Sequence, residues 1–314
     1  MPTLEALQRQ ITTAKDLQSV VKTMKVLAAV SIRQYERAVE SLAEYTRTIE
    51  LGLQAVLNEM DIAQLAAPSP SSHRIGAIVF GSDQGMCGQF NEQIATEALA
   101  RLGVAHIAPA HIAPARIAQM QPLLSAPADL TWAAVGARVM APLEAAGQTI
   151  DICLPMPSAI AGITPRVQEL LLQIETWRFQ QQVDQIFLFY NRPRSNIAYI
   201  PEVKQLLPLD QVWLRQMQQQ PWDSRTLPIW TMESRQLFAC FIRQYLFVTL
   251  YRAFAESLAS ENASRLMSMQ VAEQNIETRL AEFNTQFQQQ RQTSITDEIL
   301  EIVAGAEVLT RRQP

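Results

Sequence analysis

Three groups of residues have the types and spacing that chemistry could use. Gly81-Ser82-Asp83-Gln84-Gly85-Met86-Cys87-Gly88 lies between a short apolar run and a helical segment, where backbone N–H groups often cradle phosphate. Asp83 and Cys87, inside the same stretch, pair an acid with a thiol, two of the groups a nucleophilic site uses. His106-Ile107-Ala108-Pro109-Ala110 is repeated at once as His111-Ile112-Ala113-Pro114-Ala115, giving two histidines in matched surroundings that suggest a metal. None completes a signature. The glycine stretch is neither GxGxxG nor GxxxxGK[ST], no glycine in the chain precedes a lysine, and no acidic residue follows about twenty positions on to hold a ribose. No histidine lies near Asp83 and Cys87, and tight turns use Asp and Gly in their own right. Prolines between the two histidines forbid a helical face, and no nearby cysteine or carboxylate completes a ligand set, so the repeat reads as a duplicated surface loop. HExxH and GxSxG are absent. The expectation is a chain with no catalytic residues, no cofactor and no metal.

The elements around these residues are unusual in their distribution of proline. All fifteen internal prolines lie between Pro68 and Pro228, leaving residues 3–67 and 229–313 with no proline and one glycine each. Proline removes a helical hydrogen bond and clashes with the preceding turn, so its absence permits two very long helices. Hydrophobic spacing supplies the positive argument. Leu4, Leu7, Ile11, Ala14, Leu17, Val21, Met24, Ala28 and Ile32 step by three or four residues, and Tyr35, Val39, Leu42, Thr46, Ile49, Leu53, Val56 and Met60 continue the series. A mean step of about 3.5 residues keeps one seam facing a partner and imposes a left-handed supercoil. Thr3 caps the first helix, with Glu5 in its first turn, and the helix is expected to end before Ala66-Ala67-Pro68. The second helix is expected to be capped at Thr231, with Glu233 in its first turn. Its stripe runs from Leu237 through Phe241, Val248, Tyr251, Ala255 and Leu258, then resumes at Met269, Ala272, Ile276, Phe283 and Phe287; Asn262 and Arg265 occupy the seam between. Polar seam residues set register or meet a partner, and a locally loosened coil is the other reading.

Between the helical flanks the period changes. Ile75–Phe80, Leu130–Val135, Thr149–Leu154 and Gln185–Tyr190 are short apolar runs, and helical segments at 91–101, 137–146 and 165–181 alternate with them. That alternation marks an α/β domain with a largely parallel sheet. The resulting division is 1–67, 68–228 and 229–314. The formal charge of −4 and a pI near 5.5 argue against a nucleic-acid partner. Residues 3–60 carry seven basic and seven acidic side chains, the mixture of a solvated helix surface. Cys87, Cys153 and Cys240 form neither a CxxC pair nor a metal spacing and read as reduced thiols of an intracellular chain. No basic-then-apolar leader opens the sequence, so secretion is not expected. The most apolar window, Phe238 to Ala255, is interrupted by Arg243, Gln244 and Arg252 and reads as a buried helix rather than a membrane span.

Ordered motifs from end to end resemble the gamma subunits of F-type ATP synthases. Lys22-Thr23-Met24-Lys25-Val26-Leu27-Ala28-Ala29 is similar to that family's K-x-M-K and following apolar run. Ser82-Asp83-Gln84-Gly85-Met86-Cys87-Gly88 resembles S-D-R-G-L-C-G, and Gln205-Leu206-Leu207-Pro208-Leu209 resembles the Q-L-L-P-L that closes the sheet. Ala259-Ser260-Glu261-Asn262-Ala263-Ser264-Arg265-Leu266-Met267-Ser268-Met269 is similar to A-S-E-x-A-A-R-M-x-A-M. Arg291-Gln292-Thr293-Ser294-Ile295-Thr296-Asp297-Glu298-Ile299-Leu300-Glu301-Ile302-Val303-Ala304-Gly305-Ala306 is similar to R-Q-x-x-I-T-x-E-L-x-E-I-V-x-G-A. Gln84 departs from the family arginine, the HIAPA repeat has no counterpart, and the closely spaced regulatory cysteines of plant-type members are absent.

The resemblance implies an antiparallel coiled coil of the terminal helices plus a Rossmann-like α/β middle domain, acting as a non-catalytic rotor shaft. Its implied partners are the alpha and beta subunits of the catalytic head, the epsilon subunit and the membrane c-ring, with ATP chemistry on beta. Its implied place is peripheral, on the cytoplasmic face of a bacterial membrane. Motif carry-over assigns contact with the head to Met24, Lys25, Arg265, Gln292, Thr296 and Glu298; read without the resemblance, these are a seam residue and solvated polar positions. As a surface residue, Arg265 is expected to be replaceable by alanine without loss of melting temperature. An α/β enzyme with a coiled-coil dimerisation arm, and a free-standing coiled-coil scaffold, are the alternatives; nucleotide binding or self-association would mark them.

Overall fold

The computed structural model describes residues 3–60, 74–104, 129–194, 198–222, 226 and 228–310, with side chains described as far as residue 303. The HIAPA repeat and the Ala66–Pro70 boundary lie outside the described residues. Helix α1 spans Leu4–Leu57 and the last helix, α6, spans Ser234–Thr310. Thr3 does cap α1: its Oγ1 accepts from the Ala6 N–H at 3.3 Å and its carbonyl from the Leu7 N–H at 3.1 Å. The start of α6 differs from expectation. Thr231 lies in an irregular segment, and Glu233, expected in the first turn, instead stands just outside it, its carbonyl accepting the first helical bond from the Leu237 N–H at 3.0 Å. The Trp230 indole N–H donates to the Ser234 hydroxyl at 3.3 Å and fixes the entry.

Two compact units divide the chain: Met1–Leu27 with Leu266–Pro314, and Ala28–Arg265. In the first unit the helices pair antiparallel, since Gln18 meets Glu277 at 3.3 Å while Lys25 meets Glu273 at 2.5 Å. In the second they also pair antiparallel, through Tyr45 with Gln244 at 3.0 Å and Glu59 with Ser234 at 3.3 Å. Every seam residue of α1 is buried or half-buried except Leu17, which is 52% exposed. Gly52, the glycine of the first proline-free stretch, faces Phe241, and a Cβ there would lie 2.3 Å from the ring. The helical cost of glycine is thus offset by close approach of an aromatic side chain.

The second unit contains a five-stranded sheet in the order β3-β2-β1-β4-β5, built from β1 (Arg74–Phe80), β2 (Asp129–Val135), β3 (Ile150–Leu154), β4 (Gln185–Pro193) and β5 (Tyr199–Leu207). The first four are parallel, and β5 runs antiparallel to β4 with Asn191 opposite Pro201. Helices α2 (Phe90–Arg101), α3 (Met140–Ala145) and α4 (Ile163–Gln180) make the crossovers, and α5 (Gln211–Gln219) follows the sheet, capped by Asp210, whose carboxylate accepts from the Val212 N–H at 2.8 Å. Strand alternation sorts the core into two layers. Ile78, Phe80, Ala133 and Val135 face α4 and α6, packing with Trp177 and Phe254. Ala77, Val79, Trp132 and Ala134 face α2 and α3, packing with Ile94 and Leu143. Ile49, Leu53 and Leu57 of α1 close a third cluster with Leu214, Met217 and Val248. By length and composition α6 could cross a membrane, but Val248, Leu250 and Phe254 pack into these cores, in keeping with the buried-helix reading.

Candidate functional site

The glycine-rich turn 81–88 leaves the carboxyl end of β1, between β2 and β4, where the strand order reverses. In open α/β sheets this switch point is where ligands sit. Here its polar groups face one another. The Gly81 N–H donates to the Val135 carbonyl at 2.7 Å, and the Ser82 N–H to Asn91 Oδ1 at 2.9 Å. Asn91 Nδ2 donates to the Ser82 hydroxyl at 2.9 Å, and that hydroxyl to the Gln84 carbonyl at 2.9 Å. The two oxygens of Asp83 accept from the Ala137 and Met156 N–H groups, each at 2.8 Å, so this carboxylate braces the segments leaving β2 and β3. Gly136, at φ 96°, brings the β2 exit against the turn; a Cβ there would stand 2.8 Å from the Ser82 nitrogen.

Cys87 does not pair with Asp83. Its thiol is buried against Ser82 Oγ at 3.5 Å, Asn91 Nδ2 at 3.6 Å and the Gln84 carbonyl at 3.7 Å. Burial pushes the thiol pKa up, with the Ser82 hydrogen bond pulling it back, so the thiolate is disfavoured. Helix α6 covers the remaining side of the crevice. The fully buried Ser260 hydroxyl donates to the Asn191 carbonyl at 2.9 Å, and the Ser264 hydroxyl donates to the Cys87 carbonyl. Among the described residues no group of three His, Cys, Asp or Glu side chains is arranged to hold a metal.

The six residues singled out by motif occupy different environments. Met24 is half-buried on α1, and its neighbour Lys25 makes the 2.5 Å ion pair with Glu273. Gln292, Thr296 and Glu298 are exposed on α6; Gln292 and Thr296 stand one turn apart, and the Thr296 hydroxyl donates to the Gln292 carbonyl at 2.8 Å. Arg265, in the other unit, is not a solvated residue. It is 7% exposed, its Nη2 donates to Glu261 Oε1 at 2.5 Å, and its Nη1 reaches Asn262 Oδ1 at 3.4 Å. The expectation that Arg265 behaves as a surface substitution is therefore corrected: the α/β domain packs against this part of α6. Glu261 is buried too, and burial raises its carboxyl pKa while Arg265 draws it down.

A second buried ionic cluster escaped sequence reasoning. Glu256 on α6 is 9% exposed and lies 3.7 Å from Arg252 Nε, with Tyr190, Arg192 and Glu202 of the sheet around it. Lys204 on β5 stands 5.7 Å from the centre of the Tyr245 ring, and burial lowers its pKa. The signal available was the Arg252–Glu256 spacing of four on an otherwise apolar helix face.

The sequence profile of the ATP synthase family matches residues 3–309. The ATP synthase gamma chain of Buchnera aphidicola subsp. Diuraphis noxia is 24% identical over 312 residues, covering 99% of each chain. That of Baumannia cicadellinicola subsp. Homalodisca coagulata is 26% identical over 311 residues, covering 98% of this chain and 99% of the relative. Among solved structures, a chain of the Euglena gracilis mitochondrial ATP synthase rotor superimposes with a TM-score of 0.60 at 14% identity, covering 93% of this chain and 98% of that one. A chain of the Tetrahymena thermophila mitochondrial ATP synthase central stalk and c-ring gives 0.55 at 20% identity, covering 81% and 99%.

Proposed function

This chain belongs to the ATP synthase family, as a gamma subunit, and on that premise we propose that it is the central rotor shaft of an F-type ATP synthase. The coil is the part that enters a head of alternating alpha and beta subunits. The α/β domain is the part that meets the epsilon subunit and the membrane c-ring. Ion flow turns the ring and the chain turns with it; the asymmetric surface of the coil then favours a different conformation in each beta subunit in succession, a coupling free energy delivered mechanically. The chain itself is non-catalytic, and the complex places it peripherally on the cytoplasmic face of a bacterial membrane. The working division is an N-terminal coil helix at 1–67, an α/β domain at 68–228 and a C-terminal coil helix at 229–314. Met24, Lys25, Gln292, Thr296 and Glu298 are the proposed contacts with the head, and Arg265 acts there through the buried pair with Glu261.

One observation carries the non-catalytic reading. The switch-point crevice, where a nucleotide would sit in this class of sheet, is filled by Asn91, Asp83 and the serine face of α6. Purification of the chain with its natural partners tests the whole reading: alpha, beta, epsilon and c subunits should copurify, and calorimetry on the isolated chain should give no micromolar affinity for ATP or ADP. Nucleotide binding at residues 81–88, or a stable assembly of this chain alone, would overturn it.

A further inference from the structure

We propose that Ser264 is a positioning residue that locks the 81–88 turn to the C-terminal helix, so that the turn and this segment of the helix move together. This deepens the rotor reading and rests on it. Position 264 holds alanine in the motif that residues 259–269 otherwise resemble, and alanine has no hydroxyl. In this chain the Ser264 hydroxyl is buried and donates to the Cys87 carbonyl, whose other bond comes from the Phe90 N–H at 3.3 Å, at the start of α2. The Tyr199 hydroxyl on β5 lies 3.5 Å from Ser264 Oγ, and its ring packs edge-on against Phe90 with centroids 5.5 Å apart. A single hydroxyl therefore joins three parts of the fold, the turn, β5 and α6, and the Cys87 carbonyl it bonds also holds the start of α2.

The turn needs an anchor of this kind. Met86 adopts φ 62°, a conformation that a side-chain-bearing residue holds only when its surroundings enforce it. Gln84, which replaces the arginine of the motif, is exposed and has no charge with which to form an ion pair. Losing the Ser264 hydroxyl leaves the Cys87 carbonyl, which is sealed from water by the helix, with one donor instead of two. The Asp83 and Asn91 contacts and the Arg138 N–H to the Ser82 carbonyl hold the β1 end of the turn, and at the Cys87 end the Phe90 N–H remains on the carbonyl.

Ser264→Ala restores the residue of the motif and removes nothing but the oxygen, so the variant folds without strain. In the isolated full-length chain, amide hydrogen exchange at Gln89–Asn91 should accelerate by about 5- to 10-fold, the equivalent of one net hydrogen bond. Exchange in the distant β2–β3 pairing should be unchanged. In the reconstituted ATP synthase, the variant should hydrolyse ATP at the parental rate while pumping fewer ions per ATP. Unchanged exchange would refute the tether. Faster exchange with parental pumping per ATP would reduce Ser264 to an ordinary packing residue and overturn the positioning role. Failure of the parent chain to assemble with head and ring subunits would refute the rotor reading instead, and the exchange result would stand apart from it.

Discussion

Replacing Arg265 with alanine should destabilise the protein by about 3–5 kcal/mol, because it strands a buried carboxylate. The Arg265 and Glu261 side chains are 9% and 7% exposed and meet at 2.5 Å, so solvent offers neither charge an alternative partner. For a domain of this size that loss corresponds to a fall in melting temperature of roughly 10 °C. The deficit carries a definite pH dependence. Burial holds the Glu261 pKa above its unfolded value and the Coulomb pull of Arg265 lowers it; without Arg265 the folded pKa rises further. A raised folded pKa contributes stability that is fully present below the unfolded pKa and lost as pH rises through the folded one. The variant should therefore fall furthest behind the parent above neutrality and recover toward it as pH falls to the ordinary carboxylate range. Glu261→Leu with Arg265→Met removes both charges while filling the space, and should sit close to the parent. Thermal unfolding followed by circular dichroism across pH 4.5 to 8 on parent, single and double variants measures all three terms. A single variant that melts with the parent at pH 7.5, or whose deficit grows on acidification, would refute the buried-pair account.

Asp83→Ala removes the acceptor for two backbone N–H groups and should cost about 3 kcal/mol or more in denaturant unfolding, with Asp83→Asn costing about half; a loss below about 0.5 kcal/mol would mean that the carboxylate braces nothing. For Glu256, burial raises the pKa and Arg252 and Arg192 lower it, so its contribution is present at acid pH and lost as pH rises through the folded pKa. Glu256→Gln should abolish that part of the decline, gaining on the parent from weakly acid to neutral pH; stability profiles that stay parallel would contradict it.

The helices and strands were legible because their periods differ. A seam with a mean step of about 3.5 residues continues from Leu4 to Met60, and only the exposed Leu17 fails to find cover. The central strands β1 and β4 announced themselves as apolar runs because both of their faces are buried. Strand β5 hid its nature: Tyr199, Pro201, Glu202 and Lys204 look like a loop, and proline is tolerated there because β5 is an edge strand. Helix α5, rich in glutamine, has a plain signal in Asp210 as its cap but is short, and only Leu214 and Met217 of it are buried. The start of α6 was displaced because Thr231 offered a capping side chain, whereas Glu233 begins the ladder through its carbonyl. Arg265 was misread as solvated because a periodic seam says which helix face is covered, and says nothing of what covers it. Only the tertiary fold brings the sheet against residues 253–265.

The same geometry explains how a sheet with the strand order of a nucleotide-binding domain comes to serve a mechanical role. A switch point is a crevice because the crossovers on its two sides diverge, leaving backbone groups without partners. A ligand can satisfy those groups, or the chain itself can. In this protein Asn91, Asp83, Ser260 and Ser264 satisfy them, and two of the four belong to the C-terminal helix. The bonds of Ser260 and Ser264 tie that helix to β4 and to the turn, and both are buried, where competition from water for donors and acceptors is weakest. Filling the crevice and fixing residues 260–264 of the C-terminal helix to the sheet are thus one structural fact. A variant that reopened the crevice by removing both hydroxyls would loosen the joint before it gained a binding site, because the backbone N–H groups of the turn would still donate to Val135 and Asn91.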